Sequence, residues 1–313
     1  MRTQRILGLV AFGLAAVVLA AAVLLVGRAS RPALGAPFTP PSLRPLTGPP
    51  HTVHQVAPLA PGNVVAVSAA VGDVSVTTTR TAHDVRLTAR LYHGERVVMQ
   101  QHGGTLSIRL VGVGGSPSGP TSLCLIFCSS STSLSGLGSG SEANIHVWLT
   151  VPADGAISAQ LGVGTLLVSG QYQRVLAVTQ AGSVTATHVA APTLNLATQV
   201  GGITVTGATG VQHLTLSAQA GLITYEGTLG TSTRMTDQAG AVRLRVDPTA
   251  RIAASVTVTA GAFTSGFAHL SGGTFGTFRG VMGTGTREGQ LTVTDEAGAV
   301  SIQPWTPRGS GAG

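Results

Sequence analysis

Leu194-Asn195-Leu196 and Ile203-Thr204-Val205-Thr206 flank the phrase Gln199-Val200-Gly201, and on both flanks apolar and polar residues alternate. Alternation of period two belongs to a strand with one buried face. The phrase returns as Gln160-Leu161-Gly162, Gln180-Ala181-Gly182, Gln219-Ala220-Gly221 and Gln238-Ala239-Gly240, and in altered form as Thr259-Ala260-Gly261 and Glu296-Ala297-Gly298. From Gly162 to Gly261 the glycine steps are 19 to 21 residues, and Gly280 falls inside the longer interval before Gly298. A fixed period of this length marks a stack of coils. The expected fold is therefore all-β, a β-solenoid of single-stack coils of about 20 residues each.

Two places past each glycine stand Val184, Ile203, Ile223, Val242, Phe263 and Val300, and one place further stand Thr185, Thr204, Thr224, Arg243, Thr264 and Ser301. The first set is expected to point inward and the second outward. By the same parity Gln160, Gln180, Gln199, Gln219 and Gln238 face outward. On adjacent coils they would stack at the strand spacing of about 4.8 Å as an exterior ladder.

Composition agrees with a thin column of Val, Ile, Leu and Ala. Of 313 residues 43 are Gly, 9% are charged and 4% aromatic, so no large aromatic core is expected. The net charge of +7 comes from scattered arginines, with local pairs such as Arg86/Arg90 and Arg243/Arg245. No basic stripe interleaved with aromatics occurs, which argues against nucleic acid as a partner. Weak attraction to anionic glycans or lipid headgroups is a better use of such a charge.

Residues Ile6 to Val26 form an unbroken run of apolar or glycine residues bracketed by Arg2, Arg5, Arg28 and Arg31. As a helix the run spans about 30 Å, enough for a bilayer core. A cleaved secretory signal is the competing reading, although signal cores are usually only about 7 to 15 residues long. Either way the C-terminal part is expected outside the cytoplasm, and with an uncleaved anchor the protein is a single-pass membrane protein.

The expected organisation is an anchor over 1–28, a Pro-rich tether over 29–61, a β-solenoid over 62–304 and a disordered tail over 305–313. The tether carries Pro40-Pro41 and Pro49-Pro50, together with His51 and His54, which lack a third ligand and so make no metal site. The folded part opens on an early glycine phrase at Gly72, and Trp305 is available to cover the far open end. After Gly72 the runs His83 to Tyr92, Arg96 to Gln101 and Thr105 to Leu110 read as a β-meander capping the stack.

A Gly/Ser-rich insertion over 112–141 holds both cysteines, Cys124 and Cys128. In an exported protein two cysteines favour a disulfide, though a ring this tight needs a turn to close; reduced, packed thiols are the other reading. Their apolar tip, Leu125-Ile126-Phe127, suits either insertion into a membrane or partner, or packing on the neighbouring coil.

The order of Val71-Gly72-Asp73-Val74-Ser75-Val76, Val85-Arg86-Leu87-Thr88-Ala89, Gly103-Gly104-Thr105-Leu106-Ser107-Ile108 and the strand Ile145 to Val151 with Pro152-Ala153-Asp154-Gly155-Ala156 resembles the bacterial family of envelope β-strand-repeat proteins named putative adhesins. The resemblance runs from Val64 to Ile302 and continues through the glycine-centred coils. It implies a β-solenoid on the outer side of the membrane, often behind one transmembrane helix. It transfers no catalytic residue, and the cysteine-bearing insertion departs from the family pattern.

A polysaccharide-cleaving enzyme needs acids converging on one groove. Asp154, Glu226, Asp237, Asp247, Glu288, Asp295 and Glu296 are expected at no equivalent positions on two coils, and no G-x-S-x-G, H-E-x-x-H or P-loop pattern occurs. No catalysis, cofactor or metal is expected. A flat Thr array for ice or a crystalline surface is interrupted by Glu226 and by Arg243/Arg245. The expected function is a membrane-tethered extracytoplasmic module for binding, adhesion or scaffolding, with a glycan or protein partner at the cell surface. The alternative is an accessory envelope-stress sensor or regulator acting through a membrane partner along Ile6–Val26.

Overall fold

Strand β8 (Ala156–Gln171) is followed after two residues by β9 (Arg174–Ala190), and the two run parallel with Ala156 paired to Arg174. A straight strand the length of β8 would span about 50 Å. Yet Gln171 lies three residues before Arg174, which is paired to Ala156, so the two ends of β8 are within about 16 Å. The strand therefore folds back on itself, and burial locates the bend. Ile157, Ala159 and Leu161 are buried before it, Leu166 and Val168 after it, and the spacing of five from Leu161 to Leu166 breaks the two-residue alternation. Both legs thereby turn their apolar side chains toward each other.

The same arrangement recurs in β9, β10 (Thr193–Ala208), β11 (His213–Gly227), β12 (Ser232–Val246), β13 (Ala250–Ser265) and β15 (Arg287–Pro304). Val184, Ile203, Ile223, Val242, Phe263 and Val300 are all buried in the shared core. At the bends a column of glycines runs Gly72, Gly164, Gly182, Gly201, Gly221, Gly240, Gly298, Gly261, each α-carbon set against the carbonyl of the one before. At Gly164, Gly182, Gly201, Gly240 and Gly261 φ is positive, between +131° and +159°. Only glycine adopts that backbone readily, and only glycine permits so close an approach.

This computed structural model describes residues 49–60, 62–81, 83–92, 94–111 and 145–305. It comprises fifteen strands in one mixed sheet that does not close on itself, with no helix among the described residues. The expected anchor over Ile6–Val26, the insertion with Cys124 and Cys128, and residues 306–313 lie outside the described residues. Among the described residues no helix is long and apolar enough to cross a membrane.

The N-terminal region keeps the two-legged plan with its strands split. β2 (Val64–Val71) and β3 (Asp73–Thr79) meet at Gly72 and pair parallel with the first and second legs of β8. On their other side β2 pairs with β6 (Thr105–Val111) and β3 with β7 (His146–Pro152). β5 (Arg96–His102) forms a hairpin with β6, whereas β4 (Asp84–Leu91) pairs antiparallel with β7. The meander expected over 83–110 is thus reduced to one hairpin, because β4 and β5 extend different legs.

β1 (His51–Pro58), expected as the end of the tether, is a strand paired antiparallel with β4. Its Val53 and Ala57 pack against the core, which accounts for its joining the sheet.

The C-terminal end departs from sequence order. β15 pairs with β12 on one side and β13 on the other, and β14 (Gly276–Met282) pairs antiparallel with β13 at the edge. Gly280 consequently has no place in the glycine column; it abuts the carbonyl of His269. Trp305 does not stand at an open end: its backbone N–H donates to the Val246 carbonyl of β12, and β13 and β14 lie beyond β15.

Candidate functional site

Along β7 the buried residues Val147, Leu149 and Val151 alternate with outward His146, Trp148 and Thr150. Trp148 is 49% exposed, although a ring of this size gives most when buried. Its cross-strand neighbours are small, Thr88 on β4 and Ser75 on β3, and leave about half of the residue exposed. The same outward row continues to His54 on β1 and to Leu167 on β8, which is 44% exposed.

The ring is held from behind. His146 stacks on it with centroids 5.8 Å apart and planes 24° from parallel. His146 Nδ1 lies 3.5 Å from Asp73 Oδ2, and Asp73 Oδ1 accepts a hydrogen bond of 3.0 Å from the backbone N–H of Thr165. A chain of contacts thus runs from Thr165 through Asp73 and His146 to Trp148. On the other flank His54 Nδ1 and Thr88 Oγ1 are 3.1 Å apart. Arg90 pairs with His146 and Arg86 with Thr150, and both guanidinium groups are exposed. The result is a flat aromatic surface rimmed by five-donor cations, imidazoles and one carboxylate.

About 13 Å further along the strands, at their loop end, lies a cleft of about 570 Å³. It is lined by Leu59, Arg80, His83, Asp154, Gln171 and Gln173 among others, with Arg80 Nη2 donating to Gln171 Oε1 at 3.3 Å.

Of the glycines singled out in the sequence, Gly72, Gly182, Gly201, Gly221, Gly240, Gly261 and Gly298 stand in the column. Gly162 does not: it is two residues out of register, and Gly164 pairs with Gly182 in its stead. Gln160 accordingly faces Val178 and is half-buried. Gln180, Gln199, Gln219 and Gln238 are exposed at equivalent places, and among the described residues no hydrogen bond joins their side chains.

The acids require a correction. Asp237 and Asp295 occupy equivalent positions, directly paired across β12 and β15, and both are fully buried. This overturns the expectation of no equivalent acids: each stands three residues before its column glycine, Gly240 or Gly298, and the insertion of β15 beside β12 makes the two direct neighbours. Sealed from solvent, the pair meets no substrate. Among the described residues no three His, Cys, Asp or Glu side chains converge as metal ligands.

No protein-family model matches the chain, and no curated protein matches it. Several solved structures do. One is a putative cell adhesion protein from Clostridium sporogenes, 9% identical over 82% of this chain and 100% of that one, with a TM-score of 0.37. Another is a putative adhesin from Bacteroides fragilis, 11% identical over 82% and 97%, with a TM-score of 0.33. A third is a putative lipid binding protein from Parabacteroides distasonis, 10% identical over 82% and 97%, with a TM-score of 0.31. The second carries the name of the family that the sequence resembles.

Proposed function

We propose that this chain is a non-catalytic binding module, a β-solenoid displayed outside the cytoplasm on the N-terminal segment Ile6–Val26, and that it grips glycans on the face centred on Trp148. The observation that carries the reading is the exposed indole, immobilised by His146 and Asp73 and flanked by Thr88 and Ser75. A sugar ring offers an apolar C–H face that stacks on such a surface, while its hydroxyls take hydrogen bonds from Arg86 and Arg90 and give one to Asp73. Exposed Trp and Arg are the residue types that most often dominate binding energy. Return of the chain to the same place every 18 to 20 residues supports the solenoid reading.

The test is binding of the purified full chain to a panel of cell-surface polysaccharides, with Trp148→Ala beside it. Loss of about 2 kcal/mol, roughly 30-fold in affinity, is expected at an unchanged melting temperature. Undiminished binding by the variant would remove this face from consideration. Protease shaving of intact cells carrying a C-terminal tag tests the display, since a tag protected until lysis would place the module inside.

A further inference from the structure

The inward side chain three residues before each glycine of the column forms a row of its own: Ala69, Leu161, Thr179, Thr198, Ala218, Asp237, Asp295, Val258. Its threonines are satisfied, since Thr179 Oγ1 donates to Thr198 Oγ1 at 3.1 Å and Thr198 Oγ1 donates to the Val200 carbonyl at 3.3 Å. The two aspartates are not. All four carboxyl oxygens are buried without a hydrogen-bond partner of good geometry. They lie on adjacent parallel strands, about 4.8 Å apart at the backbone.

Two carboxylates so placed cannot both be ionised without water or a cation. A proton resolves the problem, because a protonated carboxyl donates to its neighbour and satisfies one orphan acceptor on each side. Among the described residues the only titratable group facing either carboxyl is the other one. The other charged side chains of the strands packed around them, Glu226 on β11, Arg234, Arg243 and Arg245 on β12, Arg251 on β13, and Arg287, Glu288 and Glu296 on β15, occupy outward positions. The neighbours in the row are Ala218 and Val258.

We infer that the Asp237–Asp295 pair is a proton-operated latch, which holds the C-terminal strand β15 in its place between β12 and β13 while the pair is protonated and loosens it when the pair ionises. β15 is the last of the described strands and the one inserted out of sequence order, between β12 and β13. Burial first, and for Asp237 also the charge of Asp295, raise both carboxyls from 3.8 to about 6; the nearby amides of Gln238 and Ala239 for the one, and of Ala297 for the other, offset part of this. The folded chain therefore holds protons that the unfolded chain has released. The contribution to stability is full below about pH 4, falls as the pH rises toward 6, and stays lost above it.

Amide hydrogen exchange of the full chain at about pH 5 and about pH 8, corrected for the intrinsic pH dependence of exchange, reads the latch directly. The latch requires protection over Arg287–Pro304 to fall by about tenfold or more relative to Thr193–Ala208 at the higher pH, with Asp295→Asn and Asp237→Asn flattening the difference. Equal protection at both pH values, or the same loss in the Asn variants, overturns it. Should neither variant fold, infrared absorption of the wild-type chain decides: a protonated-carboxyl band must persist at about pH 5 and vanish by about pH 8. Its absence at the lower value sinks the proposal. So does rescue of the pH 8 state by millimolar calcium, which would make the pair a cation site.

Discussion

Gly201 and Gly202 are neighbours with opposite tolerances. At Gly201 φ is +131° and a Cβ would be driven into the carbonyl of Gly182, which is itself fixed in the glycine column. At Gly202 the nearest atom to such a Cβ is the Leu222 carbonyl oxygen at 3.7 Å, an ordinary contact. Gly201→Ala is expected to cost about 3 kcal/mol or more, and Gly202→Ala less than about 1 kcal/mol, in urea unfolding of the two variants side by side. Equal costs would mean that the column has room to relax. The buried Tyr225 supplies a second residue-scale prediction: its hydroxyl donates to the Thr228 carbonyl at 2.6 Å and closes the corner after β11. Tyr225→Phe removes the donor and leaves that carbonyl unpaired, at about 1 to 2 kcal/mol. Burial pushes the Tyr225 phenol well above its usual range, so the loss should be the same throughout the neutral range of pH.

At the scale of the element, β10 is the cleanest case. Leu194, Leu196, Ile203 and Val205 are all buried, and the two legs pair with both β9 and β11 from Thr193 to Thr206. Ile203→Asp would place a lone carboxylate in that column, with expected loss of about 4 kcal/mol and fraying of both neighbouring strands in hydrogen exchange. An unchanged melting curve would refute the inward assignment. This part of the fold was legible because alternation, glycine and period all agree from Gly182 to Gly240. Gly162 misled because Gly164 also stands beside it, and period alone does not choose between glycines two apart. The pairing of β15 with β12 was hidden for a different reason, since alternation states which face is buried but not which strand lies alongside. One clue was present: Thr236-Asp237-Gln238-Ala239-Gly240-Ala241-Val242 and Thr294-Asp295-Glu296-Ala297-Gly298-Ala299-Val300 are near copies. Trp148 was legible as a strand residue, but its exposure depends on Thr88 and Ser75 arriving from two distant strands.

On the scale of the whole molecule, the out-of-order strand makes the C-terminus structural. In a stack built in sequence order, removing the last coil exposes one strand edge and leaves the remainder intact. Here β15 carries Leu291, Val293, Val300 and Ile302, each no more than 1% exposed, and it pairs with β12 and β13 at once. At about 1.5 to 3 kcal/mol per buried side chain, its loss removes an amount comparable to the whole stability of an ordinary domain, and it opens two edges. Truncation after Thr286 is therefore expected to unfold Ser232–Val246 and Ala250–Ser265 together, seen as simultaneous loss of protease resistance in both. Truncation before Pro45, which leaves β1 and every later strand in place, is expected to leave the melting temperature unchanged. If the C-terminal truncation instead melts like the full chain, β13 must re-pair with β12 in register. That outcome is chemically open, because both strands already present matching legs to β15, with Gly240 and Gly261 flanking Gly298. What opposes it is the row around the aspartates, since closure would set Asp237 against Val258 with no second carboxyl to share its proton.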